Sequence, residues 1–102
     1  MISSTAGDTL TFEFTGNAFG VELILNDAGG KYDIYIDGEY FATRSCYYKG
    51  VNYNHCRYGG CNFLLDNDTH TVEIKVLGEK GDDAASGCRV GIANVFAGTI
   101  AR

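Results

Sequence analysis

The chain contains no proline, so its turns must be built from glycine, asparagine and aspartate, and folding carries no slow prolyl isomerisation step. Positive charge is scarce: eight Lys and Arg against thirteen Asp and Glu leave a formal net charge of −5. A phosphate backbone or an anionic membrane needs clustered Lys and Arg, so nucleic acid and membrane surfaces are excluded as main partners. No apolar run reaches the roughly 18 residues of a membrane-spanning helix, which excludes insertion by that route. The amino end, MISSTAGD, lacks the basic and apolar regions of a signal peptide. Met1 is therefore read in two ways, as the added start of a domain cut from a larger secreted chain, or as the first residue of a complete small protein. Nowhere does the apolar spacing hold a helical period over a useful length.

What is present is alternation. The 102 residues, 45% hydrophobic with 14 glycines, fit one domain spanning 1–102 and rich in turns. Residues 31–39, KYDIYIDGE, predict a strand with Tyr32, Ile34 and Ile36 on one face and Asp33, Tyr35 and Asp37 on the other. Asp37-Gly38 tolerates positive φ at a tight turn, so the chain reverses there into a strand through Tyr40, Phe41 and Ala42. Thr9 to Thr15 alternates in the same way, with Leu10, Phe12 and Phe14 inward. After a break at Gly16-Asn17, the run from Phe19 to Asn26 turns Phe19, Val21, Leu23 and Leu25 one way and the apolar Ile24 the other. Thr69 to Leu77 places Val72, Ile74 and Val76 inward, 78–87 reads as an exposed loop, and a last strand follows from Cys88 to Phe96. Several short strands with turn-rich joints predict an all-β, antiparallel two-sheet β-sandwich.

Alternation fails from Ser45 to Asn62, a segment holding three of the four cysteines and four of the seven tyrosines. It reads as a long decorated loop or a pair of short strands, and a loop of that length is usually functional or cross-linked. The cysteines Cys46, Cys56, Cys61 and Cys88 allow three disulfide pairings. One pairs Cys56 with Cys61 across a tight turn and lets Cys46 reach Cys88, tying the irregular segment to the last strand. Zinc on these thiolates with His55 is the competing reading, without the Cys-x-x-Cys spacing that would favour it, and free buried thiols are the third.

Four pieces in order, GDTLTFEFTGNAFGVELI, GGKYDIYIDGE, DTHTVEIKVLGEK and SGCRVGIANVF, resemble the small jelly-roll modules that accompany SGNH or GDSL hydrolases and other secreted bacterial carbohydrate-active proteins. The resemblance covers most of the chain but not Cys46 to Cys61. It implies a β-sandwich without catalytic residues, often one that binds carbohydrate on a sheet face or loop edge, and it transfers no individual binding position.

The residues themselves point to tyrosines as the ligand surface. Tyr35 lies opposite the core face, and Tyr47, Tyr48, Tyr53 and Tyr58 fall in the irregular segment beside Arg57, with Tyr40 just before it. An exposed aromatic ring stacks on a sugar while polar neighbours bond its hydroxyls. The plain alternative is that tyrosine suits half-buried sheet faces and that the cluster packs against copies of the same chain, as in a structural subunit of a virion or extracellular filament. Catalysis has little support. There is no Gly-x-Ser-x-Gly elbow, His70 reads as a turn residue, and Asp33 and Asp37 stand about 13 Å apart by strand rise, wider than the roughly 5–9.5 Å of paired glycosidase carboxylates. No cofactor is implied. Asp66-Asn67-Asp68 and Asp82-Asp83 would suit a structural calcium through loop oxygens, yet as turn formers they need no ion. The expectation is a non-catalytic, secreted or surface-exposed module that binds carbohydrate as part of a larger protein or assembly.

Overall fold

The computed structural model describes residues 1–49, the backbone of the strand at 55–59, and residues 65–99. Eight strands run in order: β1 (Ile2–Ser3), β2 (Thr9–Gly16), β3 (Ala18–Leu25), β4 (Gly30–Ile36), β5 (Glu39–Ser45), β6 (His55–Gly59), β7 (Asp68–Lys80) and β8 (Val90–Gly98). They form two four-stranded sheets, β1-β8-β3-β6 and β2-β7-β4-β5, with every strand pair antiparallel. The all-β two-sheet sandwich expected from alternation is the observed architecture. No helix among the described residues is long and apolar enough to cross a membrane.

Ten of the thirteen inward positions read from the sequence are buried: Phe19, Val21, Leu23, Leu25, Tyr32, Ile34, Ile36, Val72, Ile74 and Val76. The other three, Leu10, Phe12 and Phe14, are half-buried and pack against that core, because β2 is an edge strand whose neighbour β7 covers one side only. The Phe12 and Phe14 rings reach across the sandwich to Phe19 of β3, with centroids 6.2 and 5.9 Å from it. Each such pair adds about 0.5–1.5 kcal/mol beyond area burial. Since Phe12 keeps part of its surface in water, Phe12→Ala is expected to cost about 3 kcal/mol, the low end for a core Phe truncation. A urea midpoint that does not move would contradict this packing.

Glycines take the positions where the chain turns or packs most closely. At Gly16 the backbone leaves β2 for β3, and a Cβ there would lie 2.2 Å from the Gly98 carbonyl oxygen. At Asp37 and Gly38 φ is +53° and +84°, the pair of positive values that a two-residue primed hairpin turn demands. On the outer face of the β1-β8-β3-β6 sheet, Ile24 lies over Gly91 and the Phe96 ring over Gly20, which covers the apolar back of β3.

Two of the boundaries that differ from expectation have a visible cause. β7 continues to Lys80, because Gly78 takes a positive φ of +70° and the strand goes on pairing as far as Gly30↔Lys80. β8 begins at Val90, two residues later than read, because the preceding Arg89 is bonded elsewhere. Its N–H donates to the Ala28 carbonyl oxygen, and its own carbonyl accepts from Gly30.

The Cys46–Cys88 bridge is not formed; both are free thiols. Gly29 and Gly30 lie against both cysteine backbones. A Cβ on Gly29 would lie 2.0 Å from the Cys46 carbonyl oxygen, and one on Gly30 2.2 Å from that of Cys88. Cys46 is fully buried in the core, where burial pushes its thiol pKa up against a weaker opposing hydrogen bond from the Gly91 backbone. Cys88 instead donates to the Ser4 carbonyl oxygen at 3.6 Å. Cys61 and the Cys56 side chain lie outside the described residues.

Candidate functional site

The outer face of the β2-β7-β4-β5 sheet carries the residues that alternate away from the core. Strand register sets them in rows: Thr11, Glu73, Tyr35 and Tyr40 in one, and Thr9, Lys75, Asp33 and Thr43 in the next. Tyr35 is half-buried. Tyr40, directly across the hairpin, keeps 60% of its surface in solvent. Their rings meet edge to face, with centroids 6.0 Å apart and planes at 75°. A short relay fixes the second ring. Thr43 Oγ1 donates to the Asp33 carboxylate, so the Tyr40 hydroxyl, 2.8 Å away, donates to Thr43. An exposed ring held in this way loses less rotamer freedom when a ligand settles on it.

Two hollows adjoin this aromatic pair. One, of about 420 Å³, lies on the sheet face and is lined by Thr11, Tyr35, Gly38, Thr71, Glu73 and Lys75. The other, of about 460 Å³, lies at the hairpin end, where Glu39, Tyr40 and Phe41 face Leu65, Asp66 and the Asp37–His70 pair. Phe41 is partly exposed. It occupies the extra position of a β-bulge, where the register passes from Tyr35↔Tyr40 to Ile34↔Ala42.

His70 is not the turn residue read from the sequence. It lies within β7, opposite Phe14, 8% exposed, with its ring 5.6 Å from the Phe14 ring. Nδ1 is 2.6 Å from Asp37 Oδ2 and Nε2 is 2.7 Å from the Asp66 carbonyl oxygen. Both partners are acceptors, so the protonated ring, with both nitrogens donating, satisfies the two contacts together. The second Asp37 oxygen accepts from the Thr71 N–H at 2.8 Å. The hydrogen bond to the Asp37 carboxylate raises the His70 pKa above 6.5, helped by the Asp66 carbonyl and the charge of Asp68. The same bond, with that from Thr71, lowers the Asp37 pKa below 3.8.

The stabilisation from His70 is complete below pH 6.5, its unfolded value, and is lost as pH rises through the raised folded value. That from Asp37 is complete above 3.8 and is lost as pH falls through the lowered folded value. The melting temperature is therefore expected to fall as pH rises above 6.5 and through the raised value of His70. In His70→Gln it should be lower at mildly acid pH and flatter above it. Identical pH slopes in the two proteins would contradict the pairing. An imidazole with both nitrogens donating also has no lone pair free to act as a base.

The structure does not gather the expected tyrosines into one place. Tyr35 joins Tyr40, whereas Tyr47 and Tyr48 lie seven and eight residues beyond Tyr40, about 22–27 Å further by strand rise. There Tyr47 bridges to Asn26 and the Tyr48 N–H donates to the Asn26 carbonyl oxygen. Tyr53 and the side chains of Arg57 and Tyr58 lie outside the described residues. The sequence reading set Tyr40 beside the irregular segment and did not pair it with Tyr35, although the turn itself held the signal: counting outward from a two-residue Asp37-Gly38 turn sets 36 opposite 39 and 35 opposite 40. Among the described residues no group of three or more His, Cys, Asp or Glu side chains is placed to hold a metal. Asp68 and Asp82 accept hydrogen bonds from the Thr69 and Ala84 N–H groups.

No protein-family model and no curated protein sequence matches the chain. Solved structures do. The CBM36-1 domain of a multidomain xylanase from the hindgut metagenome of Trinervitermes trinervoides superposes with a TM-score of 0.62 at 16% identity, over 95% of this chain and 77% of that one. A Paenibacillus xanthan lyase superposes with a TM-score of 0.60 at 12% identity, over 94% of this chain, which spans 10% of the lyase. At these identities the likeness is one of fold.

Proposed function

We propose that this chain is a non-catalytic carbohydrate-binding module whose ligand settles on the Tyr35–Tyr40 pair. One observation carries the reading: a tyrosine ring, 60% exposed and tethered through Thr43 to Asp33, stands beside hollows rimmed by hydroxyls and charges. The C–H face of a sugar packs on such a ring, while Thr11, Thr71, Glu73 and Lys75 offer donors and acceptors to its hydroxyl groups. The fold likeness to a carbohydrate-binding domain of a xylanase supports the same reading. An extracellular location within a larger carbohydrate-active protein belongs to this proposal. The link to SGNH or GDSL hydrolases rests on the sequence motifs alone. The experiment is a glycan array probed with the wild-type protein and with Tyr40→Ala. Signals on a family of glycans that weaken in the variant support the reading, and an array blank for both would refute it.

A further inference from the structure

Resting on that reading, we propose that the ligand is an internal stretch of a polysaccharide chain, lying across the Tyr35–Tyr40 ridge with sugar units in both hollows. The two hollows are close in size, about 420 and 460 Å³, and no described residue lines both, yet they adjoin across the hairpin. Tyr35 and Gly38 line the first, and their neighbours across the hairpin and along the turn, Tyr40 and Asp37, line the second. The rings that separate them are only 6.0 Å apart between centroids. A ligand seated in one hollow therefore has an aromatic step leading to the other.

Both hollows also open to solvent, whereas recognition of a chain end calls for a pocket that encloses the terminal sugar. Their linings differ as well. The sheet-face hollow offers the Thr11 and Thr71 hydroxyls with Glu73 and Lys75, and the hairpin hollow offers the Phe41 ring with the Glu39 and Asp66 carboxylates. Successive units of one chain would thus bond to different groups, and that fixes the chain's register along the ridge. Once one unit is bound, the next enters its hollow as an intramolecular event at high effective concentration. Affinity must then climb with chain length until both hollows are filled, and level off beyond.

The test is calorimetric titration of the wild-type protein with xylo-, cello- and malto-oligosaccharides of one to six units. In the series that binds, affinity is expected to rise at least about tenfold from the monosaccharide and then to plateau. Of Glu73→Gln, in the sheet-face hollow, and Phe41→Ala, in the hairpin hollow, the one outside the hollow that the monosaccharide occupies should cost affinity for the hexasaccharide and little for the monosaccharide. Melting curves of both variants check that they are folded. A monosaccharide bound as tightly as the hexasaccharide, or both variants weakening every length equally, would overturn the two-hollow path while leaving carbohydrate binding intact. No binding in any series at any length would overturn the carbohydrate reading, and this inference with it.

Discussion

Tyr40→Ala is expected to weaken glycan binding about 30-fold while leaving the protein folded. Truncating a central aromatic anchor costs about 2 kcal/mol or more, and each 1.4 kcal/mol is a factor of ten. The fold should survive because Tyr40 is mostly in solvent. Its contacts are the edge of Tyr35 and the Thr43 hydroxyl, worth about 0.5–1.5 kcal/mol for the ring pair. Tyr40→Phe separates the two parts of its role. It keeps the stacking face and removes the tether, so it should retain most of the affinity. Titration calorimetry with the tightest oligosaccharide measures both. A Tyr40→Ala protein that binds as well as wild type would remove the ridge from the ligand surface.

The second large effect concerns Gly30. Gly30→Ala is expected to cost more than about 4 kcal/mol, a large part of the 5–15 kcal/mol that holds a domain of this size together. The new Cβ would sit 2.2, 2.3 and 2.8 Å from the carbonyl oxygen, carbonyl carbon and Cα of Cys88. All three are backbone atoms, so no side chain can rotate out of the way. Gly30 also joins three segments: its N–H donates to the Arg89 carbonyl oxygen at 2.7 Å, and its carbonyl accepts from the Cys46 N–H at 2.9 Å. Moving Cys88 to make room would break the first of these bonds. Gly38→Ala is the informative comparison. Gly38 has φ of +84° but nothing within 4 Å of its would-be Cβ, so its cost is the left-handed backbone alone, about 1–2 kcal/mol. Chemical denaturation of both variants should rank Gly30→Ala far below Gly38→Ala. Equal losses would mean that the close approach of Gly30 to Cys88 does not exist.

These effects fall on different levels of legibility. Strands β2, β4 and β7 could be read because one face of each is buried, and burial writes a period of two into the side chains. Asp37-Gly38 was legible because few residue pairs accept two positive φ values in succession. Gly78 deceived for the related reason that a glycine with positive φ breaks most strands, whereas here β7 bends there and continues. What no local pattern carries is which distant segments share a hydrogen bond. The meeting of Gly30, Cys46 and Cys88 depends on two sheets closing over each other, so cysteine spacing alone suggested a bridge where the backbones pass and the side chains part.

The candidate site divides in the same way. Tyr35 was identifiable from alternation, and Tyr40 follows from it by counting across the turn. Thr11, Thr71, Glu73 and Lys75 belong to the site only because β7 lies between β2 and β4, an order that adjacency in sequence cannot give. Tyr47 and Tyr48 drew attention by composition, and the structure sets them at a different place on the sandwich. His70 could not have been read as a clamp between Asp37 and Asp66 without the approach of those two from separate segments.

The most direct test of the account is to map amide chemical shifts in the nitrogen-labelled protein as an oligosaccharide from the array is titrated in. The changes are expected at residues 35–43 and 71–75, and to be small at Tyr47 and Tyr48. Changes concentrated around Tyr47 and Tyr48, or on the outer face of the β1-β8-β3-β6 sheet, would contradict it.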